Sequence, residues 1–230
     1  MNIGGFNKLT MLDFPGVVSA IIFTQGCNFA CPYCHNPGLI PVRGEVDLTP
    51  VDESEVFAYL QKRQGILSGV VITGGEPTIH SELQGFIERI KNLKYKVKFD
   101  TNGSNPAKLQ KLINLELLDY IAMDLKAPLT AYSPFTTNQK IIKQLQQSIN
   151  IIKDSGLSHE FRTTCVSPFV TCDSLKELAT LPGNSPWFLQ TARLKDVFKP
   201  EYEMTGMGCE ELESLLPVLQ KSAPNASLRV

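Results

Sequence analysis

Long hydrophobic runs are missing from this sequence: no stretch approaches the roughly 20 apolar residues of a membrane-spanning helix, so a transmembrane role is excluded. A charge excess is missing too, since 22 Lys and Arg face 23 Asp and Glu for a net charge of −1. That removes the usual basis for binding nucleic acid or an anionic membrane surface. No internal repeat and no low-complexity segment is present. The stretch Met1 to Pro15 has no basic start, apolar middle and small-residue cleavage site, so no secretory signal is read there. The chain is therefore expected in the cytoplasm, where thiols stay reduced.

What is present is an ordinary globular composition, 43% hydrophobic and 20% charged over 230 residues, enough for a substantial core in one domain. Val17–Thr24, Gly69–Thr73, Lys96–Asp100 and Tyr120–Asp124 read as strands, with Phe161–Val166 and Phe188–Gln190 as a fifth and sixth. Helical spacing fills the intervals at Asp52–Gln64, Ser81–Lys91, Pro106–Asn114, Asn138–Asp154 and Asp173–Leu181. Ser81 and Asp173 are the expected N-caps, and Gly156 the stop after the fourth helix. Such alternation predicts an α/β fold of βαβ units on a parallel sheet. About six units fit, fewer than the eight of a closed barrel, so the expected architecture is a partial (β/α)6 barrel in a single domain. Residues 1–200 would form the core and 201–230 a C-terminal extension, with Ala223–Val230 frayed.

Parallel α/β folds bind ligands at the carboxyl ends of their strands. Four polar signals follow strands there: the cysteine loop after Thr24, Gly-Gly-Glu after Thr73, Asp100-Thr-Asn-Gly103, and Met123-Asp-Leu-Lys126. They are expected to converge on one rim.

Three of the six cysteines, Cys27, Cys31 and Cys34, fall within eight residues. In a reducing compartment such clustering favours metal or redox chemistry over disulfides. Four readings compete. Cys31-Pro-Tyr-Cys34-His35 matches the c-type haem attachment pattern, which normally accompanies export. Cys31-Pro-Tyr-Cys34 also resembles a glutaredoxin dithiol, which leaves Cys27 idle. A zinc site would need a fourth ligand such as His35. A [4Fe–4S] cluster on three thiolates would leave one iron open for a ligand, as catalytic zinc sites keep one position open.

The C-x3-C-x2-C spacing with Tyr33 before the last cysteine resembles the defining motif of the radical S-adenosylmethionine (SAM) superfamily. Gly74-Gly75-Glu76-Pro77 is similar to that family's second motif. Asp13-Phe-Pro-Gly16, GCNFACPYCHNP, TGGEPT, DTNGS, AMDLKAP and EFRTT further resemble the activating proteins of anaerobic ribonucleotide reductases, relatives of the pyruvate formate-lyase activating enzymes. The resemblance runs from about Gly4 to about Val166 and fades after Phe169.

The resemblance implies a cluster on Cys27, Cys31 and Cys34, whose open iron chelates the methionyl group of SAM. It implies that Glu76 pairs with the SAM ammonium and that Lys126 meets its carboxylate. Gly74 and Gly75 would allow close backbone approach. Asp100, Thr101 and Asp124 would help hold the ribose, the carboxylate or a monovalent cation, and Arg162 would touch the cofactor. Tyr33 and His35 would approach the adenine. Plainer readings stand beside these: a Gly-Gly-x-Pro turn, an Asx turn at Asp100, a surface ion pair at Arg162. The implied activity is a radical SAM oxidoreductase that places a glycyl radical on a separate enzyme, with a flavodoxin or ferredoxin as electron donor. The end at Leu228-Arg229-Val230 shows no glycyl-radical loop, which fits a target on another polypeptide. A radical SAM enzyme acting on a small molecule or peptide, or a zinc or dithiol binding module, are the rivals. Cys165, Cys172 and Cys209 would form either a second cluster or ordinary buried small residues.

Overall fold

The computed structural model describes residues 1–41 and 49–229. They form two compact units interleaved along the chain: Met1–Phe29, Gly38–Thr101 and Ala107–Ile121 in the first, Ala30–Pro37, Asn102–Pro106 and Ala122–Val230 in the second.

In the first unit, β1 (Ile3–Thr10) pairs antiparallel with β2 (Ser19–Thr24), which runs parallel to β3 (Gly69–Gly74), itself parallel to β4 (Lys96–Thr101). The cores of β2 and β3 are β-branched and apolar, and Ala20, Ile21, Ile22, Val70, Val71 and Ile72 are all buried in succession. Such continuous burial marks strands covered on both faces. Between them lie α1 (Glu53–Lys62), capped by Asp52, and α2 (Leu83–Asn92), with α3 (Pro106–Asn114) after β4. Helix α2 buries Leu83, Phe86, Ile87 and Ile90, an i, i+3, i+4, i+7 stripe; each such side chain contributes about 1.5–3 kcal/mol of transfer free energy.

Strand β5 (Tyr120–Asp124) begins in the first unit and ends in the second. The second unit then carries α4 (Ile141–Asp154), β6 (Ser158–Ser167), α5 (Cys172–Leu178), β7 (Trp187–Thr191), β8 (Thr205–Gly206), α6 (Cys209–Leu219) and β9 (Ala226–Arg229). Strands β6, β7 and β9 are parallel neighbours, and β8 pairs antiparallel with β6. Gly156, at φ +71°, follows α4 as expected. Fully buried Trp187 donates its indole N–H to Thr163 Oγ1 at 2.9 Å, which joins β7 to β6 inside the core.

The six expected strands and five expected helices are all present, with ends shifted by up to three residues. Two caps differ. Helix α2 starts after Glu82, and the Ser81 hydroxyl turns to the Glu82 carboxylate instead. Helix α5 is capped by Thr171, whose reciprocal bonds with Ser174 form a capping box; a second donor is satisfied that way, which Asp173 inside the helix cannot do. The expected fraying of Ala223–Val230 is also corrected. Residues Ala226–Arg229 form β9, and Arg229 makes a bidentate pair with buried Glu160 at 2.8 Å. Val230 lies outside the described residues.

Candidate active site

In the first unit the ends of β2, β3 and β4 meet. Gly74 has φ +110°, a conformation glycine adopts without strain. A Cβ on Gly75 would fall 1.9 Å from the Gly26 carbonyl oxygen. The two glycines thus let the turn after β3 press against the start of the cysteine loop, where Glu76 N donates to Gly26 O at 2.8 Å and Cys27 N donates to Ile40 O at 3.0 Å.

Glu76 is fully buried. Its Oε1 accepts from Thr78 N at 3.1 Å, Thr78 Oγ1 at 2.6 Å and Thr101 Oγ1 at 2.8 Å. It therefore caps the short turn Pro77–Ile79 and ties it to the end of β4. A buried carboxylate accepting several hydrogen bonds is fixed in direction. Two residues before Thr101's neighbour Asp100, on the same strand face, Lys98 is 1% exposed and forms an ion pair with the Asp100 carboxylate. Sequence reading took no note of Lys98.

The second unit holds the other half of the motif. Cys31-Pro32-Tyr33-Cys34 is a tight turn closed by Cys34 N to Cys31 O at 3.0 Å. Distant segments hold it: Ala30 N donates to Phe135 O at 2.8 Å, Phe198 N to Cys34 O at 3.0 Å and Lys199 N to Pro32 O at 3.0 Å. The Tyr33 ring packs against Phe135 and Phe169, with centroids 5.9 and 5.8 Å away. Its hydroxyl is buried and has no hydrogen-bond partner among the described residues. Burial also pushes the Cys31 thiol up to about 11, with Lys126 opposing.

Asp124, at the end of β5, stands between two cations of the same unit. Arg162 Nε reaches its Oδ1 at 2.8 Å, and Lys126 Nζ its Oδ2 at 3.2 Å. Burial works to raise the Asp124 carboxyl, but Arg162 and Lys126 together hold it well below the usual carboxylate range. The Lys126 backbone is fixed as well, its N–H donating to the buried Tyr132 hydroxyl at 2.9 Å. Burial, then Lys126, lowers the His35 imidazole, so it is neutral near pH 7.

The predicted site residues thus fall into two groups: Cys27, Gly74, Gly75, Glu76, Asp100 and Thr101 in the first unit; Cys31, Tyr33, Cys34, Asp124, Lys126 and Arg162 in the second. The donor set fits an iron–sulfur cluster. None of the three cysteines forms a disulfide among the described residues, and Phe29 N–H points to Cys27 Sγ at 3.4 Å, the kind of bond to sulfur that tunes such clusters. Among the described residues no three His, Cys, Asp or Glu side chains converge as ligands of one metal ion. Cys165 is fully buried, its thiol pushed up to about 12 by burial, and behaves as a small core residue.

The Radical SAM superfamily model matches residues 21–181. The chain belongs to the radical SAM superfamily, and Cys27 through Arg162 all lie inside the matched stretch. It is 29% identical, over 99% of its own length and 95% of the other, to a Methanocaldococcus jannaschii protein named "putative glycyl-radical enzyme activating enzyme". It is 33% identical to a Methanopyrus kandleri 7-carboxy-7-deazaguanine synthase, over 50% of this chain and 52% of that one. Among solved structures it superposes on SuiB from Streptococcus suis with a TM-score of 0.67 at 12% identity, over 91% of this chain and 48% of that one. On QueE from Escherichia coli the score is 0.55 at 14% identity, over 100% and 93%. These likenesses show the fold and bear out the partial-barrel α/β class; membership of the superfamily bears out the two cofactors, a [4Fe–4S] cluster and SAM. No helix among the described residues is long and apolar enough to cross a membrane.

Proposed function

We propose that this radical SAM enzyme is an activase that generates a glycyl radical on a partner protein, an anaerobic ribonucleotide reductase. The observation that carries this reading is the likeness to the Methanocaldococcus jannaschii protein along nearly the whole of both chains. The likeness to the deazaguanine synthase, by contrast, covers half of each. That second match favours a runner-up, a radical SAM enzyme acting on a small molecule.

Cys27, Cys31 and Cys34 hold the cluster in this reading. When bound, the reduced cluster supplies the electron that splits SAM into methionine and a 5′-deoxyadenosyl radical. The protein's part is to bind and orient. Glu76, fixed by three hydrogen bonds on one oxygen, receives the SAM ammonium. Lys126 and Arg162, both held on Asp124, supply the cations that attract the SAM carboxylate. Tyr33 packs the turn beneath the adenine, and Asp100 and Thr101 approach the ribose. A flavodoxin or ferredoxin donates the electron, in the cytoplasm. Residues 1–200 form the catalytic core, and 201–230 an extension whose strand β9 continues the ladder beside β7.

The test is an anaerobic incubation of the reconstituted enzyme, SAM, a reductant and an anaerobic ribonucleotide reductase, followed by electron paramagnetic resonance. The expected result is a glycyl-radical doublet on the reductase, with 5′-deoxyadenosine formed in step with it. Steady 5′-deoxyadenosine formation on a small substrate, with no radical on any glycyl radical enzyme, would favour the runner-up.

A further inference from the structure

We infer that the Tyr33 hydroxyl donates a hydrogen bond to a sulfur of the iron–sulfur cluster and thereby raises the cluster's reduction potential. The inference needs the cluster alone, which membership of the superfamily supplies, and it stands apart from the choice of a glycyl radical partner. It gives the phenol oxygen a task beyond the packing of its ring.

Tyr33 stands between two cluster ligands in the sequence, inside the turn that Cys34 N closes on Cys31 O at 3.0 Å. The residue is 7% exposed. Its ring meets Phe135 and Phe169, and those two rings pack on each other with centroids 5.4 Å apart. The Phe135 carbonyl also accepts Ala30 N at 2.8 Å, so one residue anchors both the ring and the start of the turn. All of these residues belong to the second unit. The two phenylalanine rings offer the hydroxyl no strong acceptor, and it has no hydrogen-bond partner among the described residues.

A buried hydroxyl left unbonded is costly, and phenylalanine would fill the same space without that cost. The oxygen is therefore accounted for by an acceptor that arrives with the cofactor. Burial keeps the phenol protonated, so it has a proton to share. Lys126, the charged group that acts on it most, can only donate. Cys31 acts on it next, and Cys31 changes character when it binds iron. Its thiol becomes a thiolate, and the sulfides of the cluster come with it. An acceptor-rich, negatively charged group then stands at a turn whose aromatic ring is already fixed in place. A hydrogen bond to sulfur favours the reduced, more negative cluster, so it moves the potential upward.

The experiment is a potentiometric titration of the reconstituted protein without SAM, read by electron paramagnetic resonance, on wild type and Tyr33→Phe. The variant keeps the ring and loses only the oxygen. Its cluster should be about tenfold harder to reduce, a shift of about 59 mV to lower potential for one electron. Electron–nuclear double resonance on the reduced wild-type cluster should show a solvent-exchangeable proton that Tyr33→Phe lacks. In the apo protein Tyr33→Phe should melt no lower than wild type, because the hydroxyl it removes has no partner there. Equal potentials would overturn the inference, and if SAM binding weakened at the same time the hydroxyl would belong to SAM instead. A lower apo melting temperature in the variant would also overturn it, since the hydroxyl would then be bonded before the cluster arrives. The resonance measurement needs no variant. A wild-type spectrum that is the same in H2O and D2O would sink the inference even if Tyr33→Phe took up no cluster.

Discussion

Thr101, the last residue of β4, donates its hydroxyl to Glu76 Oε1 at 2.8 Å, and Glu76 stands in the turn that follows β3. One hydrogen bond thus connects two of the motifs that lie far apart in sequence. It also sets the direction of the carboxylate. Hydrogen bonds to a charged acceptor are worth about 1.5–3 kcal/mol. Thr101→Val should lower the stability of the apo protein by about that amount, read from its denaturation midpoint. Glu76→Gln keeps an acceptor for the same donors but removes the charge. It should fold normally and bind SAM about tenfold or more weakly. Unchanged SAM affinity in Glu76→Gln would remove Glu76 from the ammonium site.

The backbone of Phe198 and Lys199 straps the cysteine turn through Cys34 O and Pro32 O. These residues lie beyond the family-matched stretch, which ends at 181. Pro200 follows Lys199, and a residue before proline prefers extended backbone, the shape that pairing with the turn requires. Phe198→Pro deletes the N–H given to Cys34, while Phe198→Ala keeps it. The loss of a bond worth about 1 kcal/mol should speed iron release to a chelator roughly fivefold in the proline variant relative to the alanine variant. Equal release rates would mean the strap does not hold the ligand turn.

The Cys31 thiol, pushed up to about 11 by burial against Lys126's opposing charge, is protonated at neutral pH in the apo protein. A cluster ligand must be thiolate, so assembly releases that proton. Cluster formation, followed by its visible absorption, should become more complete as pH rises from about 7 to 9. Lys126→Met removes a charge that favours the thiolate and should move the profile to higher pH. The linkage has a fixed sign. A thiol whose folded value lies above its ordinary 9.0 contributes stability below that value, so the apo fold should weaken as pH climbs from 9.0 through about 11.

Glu160 is 1% exposed and is held by both guanidinium nitrogens of Arg229, whose plane also lies 3.7 Å from the Phe188 ring centroid. Arg229→Met leaves that carboxylate without its bidentate partner. The expected loss is about 2–3 kcal/mol, below the full cost of a broken buried pair because Arg229 is partly solvated. An unchanged melting temperature would show that β9 adds nothing to the fold.

The strands that present the motifs were legible because they are short, largely apolar and end at or just before Gly, Asp or Asn, signals that are local. Strand β1 was not read. Its sequence Ile-Gly-Gly-Phe-Asn-Lys-Leu-Thr carries two glycines and a polar middle that is exposed in the fold, and only its pairing with β2 makes it a strand. Strand β9 has four residues and depends on β7 and on Glu160, 69 positions away. Helix α6 carries Pro217 in its interior, a residue that argues against a helix until tertiary packing overrides it. Lys98 was missed for a related reason. In Lys96-Val-Lys-Phe-Asp100 both lysines share the polar phase, yet Lys96 is exposed and Lys98 buried, and no local pattern separates them.

The central claim, that the radical is passed to a glycine of another protein, is tested most directly by deuterium transfer. An anaerobic ribonucleotide reductase would be prepared with its glycines deuterated at the α-carbon and activated by this enzyme and unlabelled SAM. Recovered 5′-deoxyadenosine carrying one deuterium per glycyl radical formed is the predicted result. 5′-Deoxyadenosine without deuterium, while the cluster is intact and SAM is consumed, would contradict it.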